Sequence, residues 1–189
     1  MQCNGLAWTS LYCGDVVFTI GIVGDPGAGK TSFAACWKYA ILPPVRISGF
    51  GCRLYKRNFP FDGDSKRLKI LLWDVPSCKR KLFMYMRRLK SADVVFVLYD
   101  PSGKSGIAAT SFWLSAIESS RSSDAGVPVV VVAVDRGKTN ATYVAKDSVV
   151  ALERRCGYAR ICLNSSPFHA RKLVAEVYKQ QHRTSAYKQ

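Results

Sequence analysis

The sequence predicts a three-layer α/β fold, a mostly parallel sheet with helices on both faces. Three observations carry this. Apolar, β-branched runs alternate with helical stretches along most of the chain. These runs are apolar at nearly every position, as parallel strands buried on both faces must be. A glycine-rich loop, Gly24-Asp25-Pro26-Gly27-Ala28-Gly29-Lys30-Thr31, joins the first run to the first helix.

Taken in order, residues 1–14 read as a polar and aromatic extension, and Asp15 to Val23 as the first strand. A helix follows the loop, packing through Ala34, Trp37 and Ala40, with Pro43-Pro44 expected to end it. Cys52–Phe61 and Lys66–Trp73 read as an antiparallel hairpin, with Asp62-Gly63-Asp64 as its turn. A basic amphipathic stretch runs from Lys79 to Lys90, and the helical spacing of Leu82, Phe83, Met86 and Leu89 predicts a core-facing stripe. Asp93–Tyr99 is a buried strand, and Ile107–Ser119 a helix offering Phe112, Leu114 and Ile117 for packing. Val127–Val134 is a further apolar strand. A helix over Ala145–Cys156, a strand over Ala159–Leu163 and a helix from Phe168 to about His182 complete the chain. The count is six strands, one of them antiparallel.

At 189 residues, 48% of them hydrophobic, the chain has the size of one domain with a full core. The expected domain spans 15–183, with 184–189 as a tail. No apolar run reaches the roughly 20 residues that span a bilayer. The start predicts no secretory leader and the end no prenylated cysteine, so neither a transmembrane segment nor a covalent lipid anchor is expected. Seven cysteines without a C-x-x-C pair, beside two histidines, predict reduced thiols and no zinc site. The net charge of +15 is uneven: residues 46–90 hold thirteen Lys/Arg against three Asp, a local excess of +10. That excess suits a polyanionic partner, a nucleic acid such as RNA, an acidic protein such as tubulin, or an anionic membrane, although charge runs are commonly just solvated faces.

The loop matches G-x-x-x-x-G-K-[ST] at every fixed position. The pattern is that of a phosphate loop (Walker A). Glycines allow backbone N–H groups to line a concave nest, and the helix that follows directs its positive end at an anion. In this pattern Lys30 reaches the β- and γ-phosphates, the Thr31 hydroxyl ligates Mg²⁺, and Gly24 to Ser32 form the cradle. An ordinary glycine-rich turn would be expected to match fewer of the fixed positions.

The order of elements resembles the Ras superfamily of small GTPases, nearest the Rab branch, over about residues 15–183. Trp73-Asp74 is similar to the start of the family's W-D-T-A-G-Q-E, and Ala92–Asp100 to its fourth strand. Val127-Pro128 followed by Val129–Val132 is similar to the approach to its guanine-binding motif, and Gly157–Ser166 to the segment before its S-A-K loop. The resemblance implies a Ras-like P-loop NTPase fold, GTP/GDP and Mg²⁺ as ligands, and Asp74 and Thr31 at the metal. Ser48 is the only hydroxyl available in the first switch.

The departures bear on activity. Ser77 replaces the glycine that senses the γ-phosphate, and Cys78 replaces the glutamine that orients the attacking water; a thiol cannot hold water from two sides as an amide does. Pro26 removes one N–H from the loop. Val134-Asp135-Arg136-Gly137 stands at N-K-x-D, so Asp135 reaches the base only if the loop shifts, and Ser165-Ser166-Pro167 supplies the other purine loop.

These residues lead to an atypical Rab-like GTPase, a switch or assembly factor that hydrolyses GTP slowly or with a partner's help. Lys79, Arg80 and Lys81 follow the second switch and are expected to face solvent or a partner, with phosphate contact as the less expected role. The alternative is an inactive pseudo-GTPase serving as a structural module in a cytoskeletal or ribonucleoprotein assembly. A third, a P-loop nucleotide or small-molecule kinase, lacks a lid insertion and a second acidic motif. The expected place is intracellular, in the cytoplasm or on the cytoskeleton or a cilium.

Overall fold

The computed structural model describes residues 15–42, 51–61, 66–102, 106–119, 126–135 and 156–186. The extension over 1–14, Ser48, the turn at 62–64, Arg136-Gly137, the helix expected over 145–156 apart from its last residue, and the tail's last three residues lie outside them.

The described elements are β1 (Val16–Val23), α1 (Lys30–Tyr39), β2 (Arg53–Phe61), β3 (Lys66–Asp74), α2 (Phe83–Lys90), β4 (Val94–Tyr99), α3 (Thr110–Ser119), β5 (Val129–Asp135), β6 (Gly157–Cys162) and α4 (Phe168–Ala186). Short 3-10 turns at Lys79–Lys81 and Gly106–Ala109 lead into α2 and α3. The six strands form one sheet in the order β2-β3-β1-β4-β5-β6. Only β2 runs antiparallel, paired with β3 from Arg53 opposite Asp74 to Phe61 opposite Lys66. The other pairings are parallel, as expected for a Ras-like P-loop fold.

β4 explains the layering. All six of its residues are buried, and period-2 alternation sends them to opposite faces. Val94, Phe96 and Leu98 join Ile20, Phe33, Trp37 and Val174 beneath α1 and α4. Val95, Val97 and Tyr99 join Val75, Leu89, Trp113 and Leu114 beneath α2 and α3. One strand feeds two cores, so its sequence reads as a continuous apolar run rather than an alternating one.

Three local expectations need correction. Helix α1 stops at Tyr39, ahead of the prolines, because Ala40 turns left-handed (φ 58°) and gives its N–H to the Cys36 carbonyl at 2.8 Å. In the basic stretch, Leu82 and Leu89 are buried and Met86 is half-buried, but Phe83 is 74% exposed. Leu82, Met86 and Leu89 are spaced i, i+4, i+7 and share a face, whereas Phe83 lies about 100° around the helix from Leu82. In α3 Leu114 and Ile117 are buried as expected, but the large buried side chain is Trp113, and Phe112 is 40% exposed.

Candidate nucleotide site

The phosphate loop, Asp74, Asp135 and Ser165 come from distant parts of the chain, yet all lie at or just beyond the C-terminal ends of β1, β3, β5 and β6. Ligands of open α/β sheets bind at that edge. Gly24 opens the loop where no side chain fits: a Cβ there would lie 2.2 Å from the Leu98 carbonyl oxygen. Gly27 and Gly29 take φ of 84° and 89°, the left-handed turns that curl the backbone into a nest. Gly27 faces open space, with nothing within 4 Å of a Cβ built on it. Gly29 is also the N-cap of α1 and makes no side-chain cap, so the first N–H groups of the helix point into the same concavity. Pro26 sits exposed on the rim and Ala28 is buried beneath it, its N–H bonded to the Asp25 carbonyl at 3.1 Å. Ser32 lies in the first turn of α1, half-buried.

Lys30 is 7% exposed and its ammonium is held over the loop. It donates to the carbonyls of Gly24 at 2.9 Å and Asp25 at 3.1 Å, and to the hydroxyl of Ser77. Thr31 Oγ1 donates to Asp74 Oδ2 at 2.7 Å. Burial raises the pKa of the Asp74 carboxyl, against the opposing effects of the Thr31 hydrogen bond and the Lys30 and Arg53 charges. The first two helix residues thus hold the end of β3, through Thr31 to Asp74, and the segment after it, through Lys30 to Ser77. Ser77 stands where the family carries a glycine, and it gives Lys30 a side-chain acceptor that a glycine could not.

A second set of ties joins the loop to its flank. Asp25 Oδ1 accepts from Trp113 Nε1 at 2.8 Å and pairs with Lys79 Nζ at 3.2 Å. That ammonium also lies 4.7 Å from the centre of the Phe112 ring. Lys79 thus meets the phosphate loop rather than facing only solvent, while Arg80 and Lys81 are exposed. Trp113 was not foreseen as a site residue. The signal available was its i, i+4 spacing to Ile117, which places it, rather than Phe112, on the buried face.

Cys78 is exposed and carries a free thiol. Asp135 pairs with Arg160 at 3.0 Å across the β5–β6 ladder, and that bond raises the Arg160 pKa. The Ser165 hydroxyl donates to the Cys162 carbonyl within its own turn, at 3.1 Å.

A family model described as Ras of Complex, Roc, domain of DAPkinase matches residues 19–136, well over half of the chain. The chain belongs to the Roc family. Its Ras-like character extends to Rab proteins. It is 28% identical over 128 residues to Ras-related protein Rab-26 of Bos taurus, covering 67% of this chain and 49% of that protein. Human Rab-26 is 31% identical over 104 residues, 54% of this chain and 40% of that one. Mouse Rab-19 is 25% identical over 118 residues, 62% and 54% respectively. The chain spans about half the length of the curated relatives it matches. This Roc domain is a Rab-like member of the Ras superfamily, as the motif order implied.

The residues present fit the magnesium ion that this family implies. A hydroxyl and a carboxylate are the hard oxygen donors Mg²⁺ prefers, and Thr31 and Asp74 place them 2.7 Å apart beside the loop. Thr31 and Asp74 would hold the ion, which would supply charge neutralisation at the phosphates. Ser48 falls outside the described residues. Among those described, no helix is long and apolar enough to cross a membrane.

Proposed function

We propose that the chain is an atypical Rab-like switch that binds GTP and GDP with Mg²⁺ and hydrolyses GTP slowly or with a partner's help. The observation that carries this reading is the pair of links from loop to switch, Lys30 to Ser77 and Thr31 to Asp74. A polyphosphate entering the nest competes for the same ammonium and the same hydroxyl. Occupancy and the position of the segment after β3 are then coupled, which is the requirement for a switch.

The residues divide the work as follows. Backbone N–H groups of the loop and of the first turn of α1 receive phosphate oxygens, and Lys30 supplies the buried positive charge. Cys78 stands where an amide would orient water, so catalysis is left to substrate positioning and charge neutralisation. Guanine selection is the family's property and is supported here by kinship rather than by a base-reading side chain. One observation favours a second reading, a pseudo-GTPase used as a structural module: Asp135 is committed to Arg160. In either case the partner we propose is acidic protein or nucleic acid, bound through the basic 46–90 face.

Single-turnover hydrolysis of bound GTP separates the two. The switch reading expects a measurable rate below that of a glutamine-bearing small GTPase, raised severalfold by Cys78→Gln. A wild-type complex with no hydrolysis, unimproved by Cys78→Gln or by cell extract, would favour the structural module.

A further inference from the structure

Away from the phosphate loop, a groove of about 510 Å³ runs between α4 and the β2–β3 hairpin. Its walls are Trp37, Phe59, Ile70, Phe168 and Tyr178, and none of the phosphate-loop residues lines it. That volume lies within the roughly 300–1,000 Å³ typical of small-molecule sites, and the lining is almost wholly apolar.

Two polar features break this apolar surface. The first is a pair of arginines that share one acceptor. Arg57 Nη1 and Arg171 Nε each donate to the Trp37 carbonyl at 3.0 Å, and Arg171 Nη2 donates to the Lys38 carbonyl at 3.2 Å. Two guanidinium groups on one oxygen are close enough to repel, and burial together with the Arg171 charge lowers the Arg57 pKa. Among the described residues neither arginine meets a carboxylate. Each guanidinium has five N–H donors, so several remain for an anion. Lys179 adds a further cation to the rim, and Lys172 lies beside it in a long 3.9 Å pair with Glu176. The second feature is the Tyr178 hydroxyl, which is buried without a hydrogen-bond partner among the described residues. Its oxygen is out of contact with the open groove, so this cost belongs to the fold and the anion site rests on the arginines.

We propose that this groove binds a free single-chain anionic amphiphile, a long-chain carboxylate, with its head at Arg57 and Arg171 and its hydrocarbon tail along α4. Charge complementarity selects the head: a doubled cation with no carboxylate bonded to it among the described residues favours an anion over a neutral alcohol or ester. The concave shape selects a small molecule over a flat protein surface.

The test uses the full-length chain and the fluorescent fatty acid cis-parinarate, below its micellar concentration, with its methyl ester as the neutral control. The acid should give a saturable one-to-one signal, and the ester should bind about tenfold more weakly. Arg57→Gln with Arg171→Gln should bring the acid down to the ester's affinity. Ala175→Trp, at an exposed position lining the groove, should abolish binding of both while leaving the arginines and nucleotide affinity in place. If the double variant does not fold, the acid-to-ester ratio and Ala175→Trp still decide. No saturable signal, an ester as tight as the acid, binding unchanged in Ala175→Trp, or binding only to phosphatidylserine vesicles would overturn the proposal.

Discussion

Asp74 is a carboxylate whose burial works against its own charge. It is 6% exposed, and it accepts a hydrogen bond from the Thr31 hydroxyl. Its folded pKa is raised by burial above the ordinary 3.8, so the unfolded chain ionises first. The stability this group contributes is fully present below pH 3.8 and is lost as pH rises through its raised folded value. Asp74→Asn keeps an oxygen for Thr31 and removes the charge. Without nucleotide or Mg²⁺ it should match or exceed the wild-type melting temperature at pH 7, with a flatter pH profile above pH 4. With Mg²⁺ and GTP the order should reverse, because the wild-type carboxylate gains a cation. Thermal melts in both conditions check this, and an Asn variant less stable than wild type without ligand would contradict it. That Lys30, Thr31 and Asp74 meet at the loop was legible in the motif spacing. The Lys30–Ser77 and Asp25–Lys79 ties were not, since no periodicity connects residues that far apart in sequence.

At the scale of elements, α3 does more than cover the sheet. Its Trp113 spans from the core under α3 to the Asp25 carboxylate of the phosphate loop. Trp113→Phe retains most of the buried ring and removes the N–H donor. The loss should be about 1–3 kcal/mol, the range for a buried acceptor that loses a partner, reduced where Lys79 remains on Asp25. Nucleotide affinity should fall severalfold through the loosened loop, whereas a variant altered only in stability would show that α3 does not position the site. Strand identity was readable here from β-branched apolar runs, and the hairpin from its turn residues. Helix phase was less so. Phe83 and Phe112 were offered to the core for their hydrophobicity, yet each lies one position, about 100° around the helix, from the buried Leu82 and Trp113.

Among the described residues, exposed positive charge gathers on one face, which Lys79 joins to the phosphate loop. Lys56, Arg67, Lys79, Arg80, Lys81, Arg87, Arg88 and Lys90 are all exposed, on the hairpin and on the stretch through α2. Association through this face should weaken steeply with salt, log-linearly if the partner is nucleic acid and nuclease-resistant if it is acidic protein. Arg80→Glu with Lys81→Glu, which leaves the Asp25–Lys79 pair intact, should reduce capture several-fold at low salt without changing nucleotide affinity. Pull-downs across a salt series read this directly, and salt-independent capture would contradict the electrostatic account. The layering followed from the alternation of strands and helices. Base selection did not, because Asp135 is engaged by Arg160, a contact that only the folded β5–β6 ladder creates.

The central claim is that this Roc domain holds a nucleoside polyphosphate in the nest before α1. The measurement that tests it most directly is equilibrium titration of fluorescent GTP and GDP, with and without Mg²⁺, against wild type and Lys30→Ala. The account predicts saturable, Mg²⁺-enhanced binding by wild type and a loss of at least about 100-fold in the variant, since a charge-assisted contact to phosphate disappears. Equal affinity in Lys30→Ala, or no binding by the wild-type chain, would contradict it.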